Sequence, residues 1–152
     1  MNDWLDNDVF AKGIASLPLV SIDLLVKDAS SGRYLLGWRC NRPAADHWFV
    51  PGGRVRKNEC LEEAFSRLTE VELGISIPRS SAQWFGVYEH FYDDYVFGEG
   101  VSTHYVVLAY EIVVDVTALN LPKDQHSKYQ WMTKHEVVES ATVHQHSKDY
   151  FL

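Results

Sequence analysis

An α+β domain of the sandwich-like α/β/α kind is what this chain predicts, and three observations carry that prediction. Strand-like alternation and helix-like periodicity follow one another along the chain. Most neighbouring strands are joined by turns short enough for hairpins. No internal repeat, low-complexity tract or Pro/Gly/Ser-rich linker interrupts them. The 152 residues therefore read as a single domain, 1–152, long enough to bury a core.

Residues 3–15 predict a helix: Trp4, Leu5, Val9, Phe10 and Ile14 fall at roughly helical spacing behind Asn2 and Asp3 as caps. PLVSIDLLVKD (18–28) predicts a strand, Ala29 to Gly32 a turn, and YLLGWRC (34–40) a second strand, so the pair resembles a hairpin. HWFVP (47–51) is a short strand leading into a Gly52–Gly53 turn. From Leu61 to Leu73 the period becomes helical, with Leu61, Ala64, Phe65, Leu68 and Val71 on one stripe and Gly74 as the stop. Strands follow near 82–90, 103–114 and 128–132, and a short helix opens around Lys134. The connection holding Asn120, Pro122, Asp124 and Gln125 predicts an exposed loop.

Hydrophobic residues at 46% and charged residues at 23% belong to a globular chain and exclude disorder. A net charge of -7 without any block of Lys or Arg excludes a nucleic-acid polymer as partner. An acidic protein that binds phosphates needs a metal ion or a few well-placed Arg residues. Cys40 and Cys60 stand in no CxxC or Cys/His spacing, which argues against a disulfide framework or structural zinc and for a reducing compartment. The acidic start has no signal-peptide pattern and no apolar run approaches a membrane span, so a soluble, cytoplasmic protein is expected. Five Trp and eight Tyr suit either a bulky core or a site that stacks flat groups.

The chemistry is concentrated in GGRVRKNECLEEAFSRLTEVELGI, residues 52–75. A Gly-rich loop before a helix lets backbone groups approach a phosphate or a metal ion. Glu72 lies four residues after Leu68, at the edge of the apolar stripe, where a carboxylate is costly unless a hard cation or another partner meets it. Arg67 follows Glu63 by four residues and is placed to brace the helix through an ion pair. Taken alone, this helix could equally be an amphipathic one whose acids face water.

The frame Gly53, Glu59, Arg67, Glu72 and Gly74, preceded by a strand and a Pro-Gly-Gly turn, resembles the Nudix box. That resemblance implies a sandwich with a mixed central sheet and a hydrolase of nucleoside diphosphates linked to another group. It also implies a divalent cofactor, Mg²⁺ with Mn²⁺ as substitute. Two box positions depart from the usual pattern: Leu68 and Val71 stand where carboxylates are expected. The same departures, together with NRPAADHWFVPGGRV (41–55), HFYDD (90–94), THYVVL (103–108), LPKDQH (121–126) and HSKDYFL (146–152), make the chain similar to the GDP-mannose mannosyl hydrolase branch.

What that branch implies is hydrolysis of a GDP-sugar, GDP-mannose with GDP-glucose second. Water attacks the anomeric carbon with inversion, giving GDP and free hexose. By the same resemblance His126 is the general base, and Gly53, Glu72 and Gln125 are the metal ligands. Arg39 and Arg54 face the diphosphate, Tyr105 contacts it, and Asp23 stands near the sugar. Arg67 and His90 complete the substrate-binding set, and a homodimer is expected. Two alternatives stay open: a conventional Nudix pyrophosphohydrolase that attacks phosphorus, and a non-enzymatic nucleotide-sugar-binding module.

Overall fold

The structure, a computed structural model, describes residues 5–122 and 128–152. A first helix, α1 (Asn7–Ser16), precedes the long strand β1 (Leu19–Asp28), which is the axis of the sheet. The strands β2 (Tyr34–Arg39), β3 (His47–Phe49) and β4 (Gly52–Arg54) lead into helix α2 (Leu61–Leu73). Then come β5 (Gln83–Tyr92), β6 (Thr103–Val114), β7 (Tyr129–Met132) and two short helices, α3 (Lys134–Glu139) and α4 (Gln145–Lys148), with a 3-10 turn at Asp149–Phe151.

The sheet is mixed. Strands run in the order β3-β2-β1-β6-β5, with β4 paired to β1 and β7 to β2. β1 and β6 are parallel over their shared length, from Leu19↔Tyr105 to Asp28↔Val114, while the other pairings are antiparallel. The expected β1–β2 hairpin keeps its turn but pairs at Lys27↔Tyr34 and then splays. The first half of β1 is taken by β4, through Ser21↔Arg54, Ile22↔Gly53 and Asp23↔Gly52. The glycines expected to form a turn are therefore a strand. Their lack of side chains is what permits it, since a β-carbon on Gly52 would lie 2.4 Å from the Ile22 carbonyl oxygen and from Asp23 Oδ1.

α2 covers one face of the sheet, burying Ala64, Phe65 and Leu68 against Ile22, Leu24, Val26, Leu35 and Ile112. Each fully buried apolar side chain of this size contributes about 1.5–3 kcal/mol. The helix starts with Glu63 accepting a hydrogen bond from the Cys60 N–H at 3.4 Å and stops at Gly74, whose φ of 76° is the left-handed cap conformation. Its stripe differs from the expected one at the end: Val71 is 38% exposed and Glu72 only 4%. The fourth residue after Leu68, rather than the third, continues the buried face.

The other face is closed by the C-terminal segment. Tyr150 packs with Leu25, Val50 and Ala109, while α3 brings Val137 onto Leu36, Trp48 and Met132. The result is the predicted α+β sandwich. Among the described residues, no helix is long and apolar enough to cross a membrane.

Candidate active site

A cleft of about 220 Å³, open to solvent, lies where β4 pairs with the first half of β1. Asp23, Arg39, Gly53, Arg54, Glu72, His90 and Tyr105 all line it, so most of the sequence-predicted site comes together from six separate elements. Gln125 and His126, the expected ligand and base, lie outside the described residues.

Arg67 does not line the cleft. Its guanidinium grips Glu59 with Nε and Nη2 at 2.7 and 2.8 Å, and Nη2 also donates to the Arg54 carbonyl at 2.9 Å. The expected Glu63–Arg67 brace gives way to this fork, because Glu63 is occupied in capping the helix. The pairing with Arg67 is the main reason the Glu59 carboxyl is held below its ordinary range. Arg67 thus pins the loop that follows β4 onto α2, and acts on the cleft through the Arg54 carbonyl.

Three arginines line the cleft; Arg42 is paired with Asp94 and Glu99 at 3.3 and 3.4 Å, and Arg39 and Arg54 form the rest of the cationic side. Arg39, at the end of β2, donates from Nη1 to the Pro43 carbonyl at 2.9 Å and rests 3.5 Å from the centre of the Phe49 ring. Arg54 sits 4.7 Å from the Phe10 ring of α1, and burial lowers its pKa from the free value. Such cation–π seating fixes the groups while leaving N–H edges for oxygens of a ligand. Tyr105 stands across from His90 in the β5–β6 pair, and burial raises its hydroxyl pKa. Tyr92, pushed up to about 12 by burial, is likewise a hydroxyl donor at neutral pH.

Two carboxylates face them. Glu72 reaches the cleft from the last turn of α2, and Asp23 from β1. Burial pushes the Asp23 carboxyl up to about 6; a hydrogen bond from Tyr150 and the charge of Arg39 pull it down, and the charge of Glu72 adds to the rise. Carboxylate oxygens beside the Gly53 backbone are a hard-donor set, which suits Mg²⁺ or Mn²⁺ and not a soft metal. Among the described residues no three His, Cys, Asp or Glu side chains converge to hold an ion. An ion here therefore draws further oxygens from elsewhere, phosphate and water included.

Sequence reading assigned no role to His47, His144 or His146, yet all three pack against the aromatic rings of the cleft lining, Phe49, His90 and Tyr92. His90, 6% exposed, stacks on His146 with ring centres 4.3 Å apart and planes 5° apart. His144 stacks on Phe49 at 4.7 Å and meets His47 edge-on at 5.2 Å. His146 Nε2 lies 2.9 Å from the Phe91 carbonyl. Burial, then the neighbouring imidazoles, lowers His90 to about 3 and His144 to about 4, so both are neutral at pH 7. Tyr150 was also missed: its hydroxyl donates to Asp23 Oδ2 at 2.5 Å. The matching HSKDYFL ending was the available signal, but no periodicity connects it to β1.

Similarity to known proteins places the chain in a family. The family model described as "NUDIX domain" matches residues 18–152. A relative from Haloferax volcanii, "Low-salt glycan biosynthesis protein Agl8", is 41% identical over 125 residues, covering 82% of this chain and 76% of its own. Among solved structures, a MutT NUDIX hydrolase from Burkholderia pseudomallei superposes with a TM-score of 0.68 at 26% identity, covering 90% of this chain and 97% of that one. A MutT protein from Methanosarcina mazei gives 0.67 at 22% identity, with 88% and 91% covered, a likeness of fold.

Proposed function

The chain belongs to the Nudix hydrolase family, and on that premise we propose that it cleaves a GDP-sugar, GDP-mannose first, to GDP and free hexose. Water attacks the anomeric carbon with inversion. One observation carries this reading: Leu68, where the family's box has a carboxylate, is 3% exposed in the apolar core beneath Gly53. Val71, the other altered position, carries no acid either, so α2 presents Glu72 to the cleft without the neighbouring carboxylates that would activate water at phosphorus. The glycan-biosynthesis name of the Haloferax relative suits a nucleotide-sugar substrate.

In this reading Arg39, Arg54 and Tyr105 hold the diphosphate and stabilise the charge that grows on it as the C–O bond breaks. Glu72, the Gly53 backbone and Gln125 would hold a divalent ion, which would supply neutralisation of charge on the leaving GDP. With the leaving group so stabilised, a general acid is dispensable, and His126 accepts the proton of the attacking water. Asp23 faces the sugar, where its carboxylate stabilises positive charge or binds hydroxyls.

Attack at phosphorus, yielding GMP and a sugar phosphate, is the second reading. It is favoured by Asp23, a cleft carboxylate raised to about 6, which has the affinity for protons that a base needs. Hydrolysis of GDP-mannose in ¹⁸O-water with Mg²⁺ separates the two. Label in the free hexose with unlabelled GDP is expected; label in GMP or in a sugar phosphate would overturn carbon attack.

A further inference from the structure

We infer that Tyr150 is a positioning residue that sets the orientation of the Asp23 carboxylate in the cleft. The inference rests on the functional reading above for its effect on rate, and on geometry alone for the orientation itself.

An aspartate carboxylate turns about a broad torsion that staggered wells do not fix. In a cleft open to solvent, a defined orientation therefore needs an outside grip. Here one oxygen, Oδ2, accepts a charge-assisted hydrogen bond from the Tyr150 hydroxyl at 2.5 Å. The other, Oδ1, lies over Gly52, close enough that a β-carbon there would come within 2.4 Å of it. The carboxylate is thus gripped at Oδ2 by the Tyr150 donor, while Oδ1 occupies space that the absent side chain of Gly52 leaves open.

A positioning residue must itself be rigid. Tyr150 is 4% exposed, packs edge-on against Tyr88 at 4.6 Å, and sits in a buried cluster with Leu25, Val50 and Ala109. Its one hydroxyl proton is also directed. His90 Nε2 lies 3.3 Å from the Tyr150 oxygen. With the proton given to Asp23, that oxygen can only accept from His90, which selects the Nε2–H tautomer. Burial keeps His90 neutral, and its stacking on His146 holds the ring in place. The relay His90 to Tyr150 to Asp23 therefore runs in one direction, from the imidazole stack to the cleft.

The residue reaches Asp23 from the far end of the chain, so its part in the site comes wholly from tertiary packing. Its ring fills the core, and only its hydroxyl meets the cleft residue. Tyr150→Phe removes the second and keeps the first.

The test measures kcat and KM on GDP-mannose for Tyr150→Phe, Asp23→Asn and the double variant, with a crystal structure of Tyr150→Phe. Expected is a fall in kcat of roughly ten- to hundredfold with KM changed less than about threefold. The double variant should be no slower than Asp23→Asn, because both changes remove one function. An unchanged kcat, or losses that multiply in the double variant, would overturn the inference. In the crystal structure Asp23 should be rotated or split between conformers, and a single unchanged rotamer would also overturn it. Should the wild type hydrolyse no GDP-sugar, the functional reading fails, and the Asp23 rotamer still decides the positioning.

Discussion

Leu68 fills the space that a side chain on Gly53 would need: a β-carbon there would lie 2.4 Å from Leu68 Cδ2. This contact brings α2 against β4, and so sets Glu72 and the Gly53 backbone on the same cleft. It also gives the altered box position a structural task. A carboxylate has been exchanged for a methyl group that closes the helix onto the strand.

Gly53→Ala should therefore destabilise by about 1–3 kcal/mol through overpacking. Leu68→Ala should cost about 2–5 kcal/mol through the cavity it leaves. The double variant should cost less than the sum, because the new methyl enters the vacated space. Urea unfolding of the four proteins measures this. Strictly additive losses would mean that the two residues do not share that volume.

The imidazole stack makes a second prediction, about pH. His90 and His144 are held neutral down to about 3 and about 4, below the ordinary 6.5. The unfolded chain binds protons first, so their contribution is present above pH 6.5 and is lost as pH falls toward the folded values. Within that window a fully buried histidine costs up to about 1.4 kcal/mol per pH unit. Asp23, raised from 3.8 to about 6, works the other way: the folded state takes up its proton first, so acidification relieves it. His90→Gln should flatten the loss of stability between about pH 7 and 4.5 seen in urea unfolding, and Asp23→Asn should steepen it. A His90→Gln profile parallel to wild type would mean that this imidazole is not buried neutral.

These relationships mark where sequence reading succeeds and where it stops. The bounds of α2 were legible because an apolar period ran into Gly74, and β6 because its alternation is long. β4 was not, since Gly-Gly-Arg has no alternation to read and its pairing with β1 depends on close backbone approach. Arg39, Arg54, Glu72 and Tyr105 were singled out by matched motifs, and all four line one cleft. The partner of Arg67 was misjudged because spacing offered Glu63, whereas the cap claimed it. His144, His146 and Tyr150 were invisible as site residues: a short polar segment carries no pattern, and its meaning arises only where it docks on β5 and β1.

The cation assignment makes the last prediction. Glu72 is 4% exposed in the final turn of α2, at the C-terminal and so negative end of the helix dipole, with the Asp23 carboxylate in the same cleft. A buried carboxylate beside a second carboxylate and the negative end of a helix favours a bound cation. Glu72→Gln keeps the shape and removes the charge. Mg²⁺ half-saturation should then move up at least tenfold, and the rate of GDP-mannose hydrolysis should fall with it. A variant destabilised without metal would mark Glu72 as a structural carboxylate. A variant with the wild-type Mg²⁺ titration would remove it from the ion's shell, and leave the Gly53 backbone and the residues beyond Pro122 as the ligands to test.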